Sequence, residues 1–271
     1  MKTLLFPTDF SAASENAEMF AVEIVRNTNA KLYLLHVESG EESTSYARSP
    51  YETGYEVIVE ESPLMRLKTI VEKYLLEQQP YECLIKKGTI PKTIVETAEG
   101  LNAELLVLGS KGVQNYQRSN GNIIDIIRKT TCPVLTVPEE CVYKPIGNIA
   151  YATDLIHKDD QTFNQLAKFA RAFDSDLTLL HINVGAKDIP GKSPLKSIPE
   201  IIDAIDYDKV ESKVIIAPSV IEGIQKYKNE NKVDLIAMTS HSDSFLDKFF
   251  RDSQVDKIVR WTDIPTLTFS S

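Results

Sequence analysis

The feature that most constrains the fold of this chain is an internal duplication. TLLFPTD (residues 3–9) returns as NIAYATD (148–154), and LYLLHV (32–37) returns as LTLLHI (177–182), both displaced by 145 residues. Two segments that recur at one shared offset indicate that a single module was doubled. A chain of 271 residues has room for two domains of ordinary size. We expect these domains at 1–140 and 145–271, joined by a short linker that proline closes.

The later parts of the two copies also correspond. AELLVLGS (103–110) matches VDLIAMTS (233–240) at an offset of 130, and CPVLTVP (132–138) matches IPTLTF (264–269). The smaller offset means that the second copy has lost fifteen residues between the blocks. The first copy carries a polar segment over residues 38–62 that the second lacks. This insertion is either a partner-binding or lid segment or a long surface loop.

Strand and helix patterns alternate in both copies. Strands such as LLVLG are almost uninterruptedly apolar, which is typical of a parallel sheet covered by helices on both faces. Between them, apolar residues recur every three or four positions, as in Ala13, Ala17, Phe20, Ala21, Ile24 and Val25, and again in Phe163, Leu166, Ala167, Ala170 and Phe173. The sequence therefore predicts an α/β fold with two doubly wound, Rossmann-like parallel-sheet domains. We expect five strands and four helices in each, including a helix near Ile198–Ile205.

Composition excludes several classes of function. The net charge of −9 disfavours nucleic acid and anionic membranes as partners. No apolar stretch approaches the ~18 residues of a membrane span, and no secretory signal is present, so a cytoplasmic protein is expected. The three cysteines lack metal or redox spacing and are interpreted as reduced structural thiols. No nucleophile motif or metal-ligand motif is found, which argues against a dedicated catalyst.

Ligands of open parallel sheets bind beyond the carboxyl ends of the strands, where the strand order reverses. Asp9 follows the first strand, where it either caps the next helix or accepts hydrogen bonds from a ribose. After the fourth strand come Gly109 and Gly112, then eight residues, then Gly121 and Asn122 at the start of a helix. This glycine set predicts either an ordinary connection or a phosphate cradle.

Taken together, these motifs make each half similar to a universal stress protein domain. The resemblance rests on PTDFSxxSxxA over 7–17, the LLHV strand, the block of Gly88, Pro91 and Ile94, the LLVLGSKG strand with its loop, and CPVLTVP. It implies an adenine nucleotide alpha hydrolase-like fold arranged as a tandem pair. It further implies that Val134–Val137 and Thr266–Phe269 pair within the chain as a pseudo-dimer; association of whole chains into a homodimer is left open.

The resemblance also implies a site for ATP or another adenine nucleotide in the first half. The residues that it assigns to binding are Pro7, Thr8, Asp9, Val37, Gly109, Lys111, Gly112, Gly121 and Asn122. The sequence departs from the family pattern in two ways. Eight residues instead of nine separate Gly112 from Gly121, and Asn122 stands where the family has Ser or Thr. Asn is also a good helix cap, but it places an amide where the family has a hydroxyl. The second half has Thr239, Ser242, Asp252 and Ser253 at the corresponding positions, so no nucleotide is expected there.

Three hypotheses for function follow. The first is a stress-response regulator that binds a nucleotide in the first half only. The second is an interaction scaffold that binds no nucleotide, and the third is a slow ATP hydrolase.

Overall fold

Strands and helices alternate through both halves of the protein. The computed structural model describes residues 1–38, 62–75, 78–110, 120–153, 160–184, 198–240 and 263–270. The first half contains β1 (Thr3–Pro7), α1 (Ala12–Thr28), β2 (Lys31–Glu38), α2 (Pro63–Tyr74), β3 (Tyr81–Lys87), α3 (Ile90–Gly100), β4 (Leu105–Ser110), α4 (Asn120–Lys129) and β5 (Val134–Pro138). The second contains β6 (Asn148–Ala152), α5 (Asp160–Phe173), β7 (Asp176–Val184), α6 (Ile198–Ala204), β8 (Val210–Ala217), α7 (Val220–Glu230), β9 (Leu235–Ser240) and β10 (Thr266–Ser270). The predicted α/β fold class is confirmed.

The ten strands of the described ranges lie in one sheet, in the order β3-β2-β1-β4-β5-β10-β9-β6-β7-β8. Neighbouring strands within each half are parallel. If the strands of the second half are renumbered from their own first, both halves have the order 3-2-1-4-5. The order therefore reverses between the first and fourth strands of each half, which is where a ligand site is expected.

The two halves meet at their last strands. β5 and β10 are antiparallel, with Thr136 opposite Thr266 and Leu135 opposite Leu267. The Thr136 hydroxyl also donates to the Thr266 carbonyl at 3.2 Å. Each strand thereby covers what would otherwise be an exposed edge of the other half's sheet.

Helices cover both faces of the sheet, and the two faces differ. On one face a single apolar core continues through both halves and includes Phe6 and Phe20 from the first and Tyr151 and Phe163 from the second. On the opposite face each half has its own core, under α3 and α4 in the first and under α7 in the second. The shared core adds side-chain packing to the hydrogen bonds that join the halves.

The α1 helix shows how the sequence produces these elements. Ser11 caps its start, where the Ser11 hydroxyl accepts from the Ser14 amide at 3.4 Å. Asn29 ends it in the left-handed conformation that Asn tolerates. The six apolar positions that predicted this helix are all buried. Burying a side chain such as Phe20 stabilises the fold by roughly 1.5–3 kcal/mol.

The second helix of the second half lies at α6, close to its predicted place. It has seven residues, whereas α2 of the first half has twelve. None of the helices in the described ranges is both long and apolar enough to span a bilayer.

Candidate functional site

A pocket of about 200 Å³ opens at the point of the first half where the strand order reverses. Three regions line it: the β1–α1 turn, the carboxyl ends of β2 and β4, and the facing sides of α3 and α4. The pocket therefore combines a polar rim at the strand ends with an apolar wall under the helices. Such a combination is typical of small-molecule sites.

The polar rim is formed mainly by the turn between β1 and α1. The Asp9 carboxylate accepts, through Oδ1, from the Ser11 amide at 3.0 Å and from the Ser14 hydroxyl at 2.5 Å. Partial desolvation raises the pKa of Asp9, but these hydrogen bonds outweigh it and hold the pKa below its usual value. The carboxylate is thus fixed through Oδ1 and held in its ionised form.

His36, near the end of β2, also contacts this turn. His36 Nδ1 lies 2.9 Å from the Thr8 carbonyl, which can only accept, so this nitrogen carries the proton. His181 makes the same contact with the Thr153 carbonyl in the second half, at 3.1 Å. In both halves the imidazole therefore has the structural role of satisfying a backbone carbonyl.

The wall of the pocket is apolar. It consists of side chains from the sheet and from the two helices above it: Leu35, Val37, Ile90, Ile94, Leu108, Ile123 and Ile126. Asp9 is the one titratable side chain among the described residues that line the cavity. Such a wall can accommodate an uncharged, largely apolar part of a small molecule.

Gly109 has a role that differs from the predicted one. It was expected in the loop after the fourth strand, whereas the structure places it within β4, one residue before the strand ends. A Cβ at this position would lie 2.2 Å from the Ala13 carbonyl oxygen and 2.8 Å from the Ser14 amide nitrogen. The glycine is therefore required for the close packing of α1 on β4, whether or not an anion binds nearby.

The structure brings most of the predicted binding residues to one cavity. Those that line the pocket are Pro7, Thr8, Asp9, Val37, Gly109 and Asn122. Lys111 and Gly112 lie outside the described residues. Gly121 is the second residue of α4. Asn122 is the third residue of that helix, so it lies within the first turn and not at the cap position that was expected.

Sequence reasoning missed two kinds of pocket residue. The Ser14 hydroxyl fixes Asp9, and its signal was present as the second serine of PTDFSxxS. Ile90 and Ile123 carry no local signal, because an apolar residue of an amphipathic helix faces the core or a cavity depending on how the helix docks.

Larger side chains occupy the corresponding positions of the second half. Thr239 replaces Gly109 and is buried, with its hydroxyl 2.7 Å from the Tyr151 hydroxyl. Ile182 replaces Val37 and packs against α7 so closely that a Cβ on Gly223 would lie 2.5 Å from Ile182 Cγ2. Asp154, Ser242, Asp252 and Ser253 lie outside the described residues. Among the residues that are described, no cluster of His, Cys, Asp and Glu is arranged to hold a metal.

Comparison with known proteins identifies the family. The Universal stress protein family profile matches residues 1–138 and again residues 145–270. A universal stress protein of Methanocaldococcus jannaschii is 27% identical over 144 residues, which cover 50% of this chain and 81% of that protein. Universal stress protein G of Salmonella typhimurium is 25% identical over 139 residues, which cover 50% of this chain and 98% of that protein.

Solved structures agree over the full length. The crystal structure of a universal stress protein from Archaeoglobus fulgidus superposes with a TM-score of 0.65 at 16% identity, covering 99% of this chain and 98% of that chain. Because this superposition covers almost the whole of both chains, both halves share their fold with that protein. The chain belongs to the Universal stress protein family and carries the family's domain twice.

Proposed function

We propose that this protein is a cytoplasmic stress-response regulator that binds one adenine nucleotide, in the pocket of its first half. The observation that carries the proposal is the pairing, in one cavity, of an ionised Asp9 carboxylate with an apolar wall. A ribose hydroxyl can donate to Asp9 Oδ2, while adenine packs between Val37 and the isoleucines of α3. Phosphates would be held from the side of α4, whose first amides have no partner within the helix.

The second half is proposed to be a structural partner. Thr239 and Ile182 have larger side chains than Gly109 and Val37, to which they correspond, and both are buried. In sequence, Asp252 stands where Gly121 stands in the first half and would repel a phosphate. Half two instead pairs its last strand with that of half one.

A binding role is proposed in preference to catalysis. Asp9 is the single titratable group among the described lining residues, and its Oδ1 is already engaged by Ser11 and Ser14. A low pKa and a fixed position suit a hydrogen-bond acceptor better than a general base, which should titrate near the working pH. The acidic net charge supports neither nucleic acid nor a membrane as a partner.

Equilibrium dialysis with labelled ATP tests the proposal. We expect saturable binding of one nucleotide per chain, strongly weakened in Asp9→Ala and in Val37→Phe, which places a ring in the cavity. Asp125→Ala is the matched control, because Asp125 is a half-exposed acid of α4 that pairs with Lys129 outside the pocket lining. It should bind as the wild type does.

The alternatives give different results in the same assay. Two nucleotides per chain would contradict the assignment to one half. No binding at millimolar ATP would favour the interaction scaffold. Phosphate release by the wild type that is lost in Asp9→Ala would favour a slow hydrolase.

A further inference from the structure

The turn that presents Asp9 contains a strained residue. Phe10 has a φ of +59°, a left-handed conformation that is a genuine outlier for a bulky side chain. Such strain persists only where the surroundings over-determine the conformation. The contacts that surround the Phe10 side chain therefore indicate what holds this turn.

The imidazole of one side chain and the guanidinium group of another contact the Phe10 ring. The imidazole of His36 stacks against it, with ring centroids 4.7 Å apart and planes inclined by 30°. The guanidinium carbon of Arg66 lies 3.9 Å from the ring centroid, which is favourable cation–π geometry. His36 comes from β2 and is tied to the Thr8 carbonyl, whereas Arg66 comes from the first turns of α2. The ring thus joins α2 to the strand ends.

Side chains of the turn also fix the backbone on both sides of Phe10. The Phe10 amide donates to the Thr8 hydroxyl at 3.0 Å, and the Ser11 amide donates to Asp9 Oδ1 at 3.0 Å. Both acceptors belong to residues that line the pocket. If Phe10 left its conformation, these two hydrogen bonds would change and the Asp9 carboxylate would turn.

We infer that Arg66, Phe10 and His36 form a stack that holds the β1–α1 turn in its pocket-lining conformation, with Arg66 and Phe10 acting as positioning residues. The stack gives α2 control over the site although no residue of α2 lines the cavity. Its effect on ligand affinity rests on the proposed nucleotide binding, whereas its effect on the turn does not. The residues that precede α2 are the insertion that distinguishes the first half in sequence.

Hydrogen exchange of the amides in the turn tests the inference without any nucleotide. We expect Arg66→Gln to accelerate exchange of the Phe10 and Ser11 amides by about threefold or more, as the loss of an exposed cation–π contact implies. Lys73→Gln is the matched control, because Lys73 lies over the Tyr74 ring on the same helix, at 4.6 Å. It should leave the turn unchanged. Equal exchange in the wild type and Arg66→Gln would overturn the inference, whatever the protein binds.

Affinity for ATP provides the second test. We expect Arg66→Gln to weaken binding about threefold and Phe10→Ala about tenfold. Phe10→Gly should lose less than Phe10→Ala, because glycine adopts a positive φ without strain. Phe10→Tyr, which keeps the ring, should bind nearly as the wild type does.

A double-mutant cycle separates positioning from a general loss of stability. Arg66→Gln should have no further effect on affinity once Phe10 has been replaced by glycine, because the ring is then absent. Additive losses, or equal losses in Phe10→Gly and Phe10→Ala, would contradict the inference. Absence of ATP binding by the wild type would refute the proposed function and leave the exchange experiment to decide on the stack.

Discussion

Gly109 lies against the first turn of α1, so close that a Cβ on it would come within 2.2 Å of the Ala13 carbonyl oxygen. The contact is between backbone atoms, which cannot rotate away as a flexible side chain can. The closeness of β4 and α1 at this point brings Ser14 and Asp9 to the rim of the pocket. One glycine thus determines both the packing of a helix and the shape of the site.

We predict that Gly109→Ala destabilises the protein by about 1–3 kcal/mol, the usual cost of forcing extra volume into a packed region. Urea unfolding at pH 7 would measure the change. Gly100→Ala is the control: Gly100 ends α3, where an added methyl group would meet no other part of the described structure within 4 Å, and alanine is the better helix former. That variant should be neutral or slightly more stable. Equal effects of the two substitutions would contradict the packing role of Gly109.

Because Glu18 is buried, we predict that the free energy of unfolding depends on pH. This α1 residue is only 4% exposed, and burial, aided by the charge of Glu15 and opposed by Lys73, raises its pKa to about 7. Its pKa in the unfolded chain is near 4.5. Because the folded state binds this proton more tightly, the stability it contributes is complete below pH 4.5 and is lost as the pH rises through 7.

At about 1.4 kcal/mol per pKa unit, the loss attributable to Glu18 between pH 4.5 and pH 8 is on the order of 3 kcal/mol. Urea unfolding at pH 5, 6, 7 and 8 should show this decline in the wild type and a much flatter profile in Glu18→Gln. Glu96→Gln, at an exposed acid of α3 paired with Lys92, should keep the wild-type slope. An unchanged slope in Glu18→Gln would mean that Glu18 is already ionised at pH 5.

The duplication and the apolar strands were enough to predict the fold class, because a repeated strand–helix pattern has few ways to bury its apolar residues. The α1 helix followed from spacing alone, and all six of its predicted core positions are buried. The spacing did not predict that Glu18 is buried too. A glutamate on a helix is normally exposed, and α1 is more deeply enclosed than its apolar residues alone indicate.

The candidate site was only partly predictable, because some of its residues have their roles through contacts between distant parts of the chain. Asp9 and Asn122 carry signals within a few residues of sequence, namely a polar group after a strand and a polar group near a helix start. The role of Gly109 depends on Ala13, which is 96 positions away in sequence and meets it only after α1 has docked. Phe10 gave no sign of its positive φ, since that conformation is imposed by tertiary contacts.

Cysteine reactivity tests the packing under α3 and α4. Cys132 is 7% exposed, and burial, together with the charge of Glu104, raises its pKa to about 12. We predict that iodoacetamide at pH 8 does not label Cys132 in the folded protein but does so in urea, because the thiolate is the reactive form. Cys83 and Cys141, which are partly exposed, should account for all native labelling. Cys132→Ala should therefore label like the wild type, and a decrease would contradict the prediction.

The position of the second half that corresponds to Gly109 is Thr239, and it offers a second test of how this position affects packing. Thr239 and Tyr151 share a hydrogen bond of 2.7 Å where the first half has Gly109 and Phe6, so hydroxyls appear on both partners together. Both side chains are buried. The second half therefore has a buried hydrogen bond and a larger side chain at the position where the first half has Gly109, which has no side chain.

We predict that Thr239→Gly destabilises the protein by about 2 kcal/mol, through the lost hydrogen bond and the space left unfilled. Thr239→Val, which keeps the volume and removes the hydroxyl, should cost about 1 kcal/mol. Both values can be measured by urea unfolding. Equilibrium dialysis of Thr239→Gly should still give one ATP per chain, because Ile182 and Asp252 remain in place. If the glycine variant were as stable as the wild type, the packing role of Thr239 would be contradicted. If it bound a second nucleotide, Thr239 alone would account for the difference in binding between the two halves.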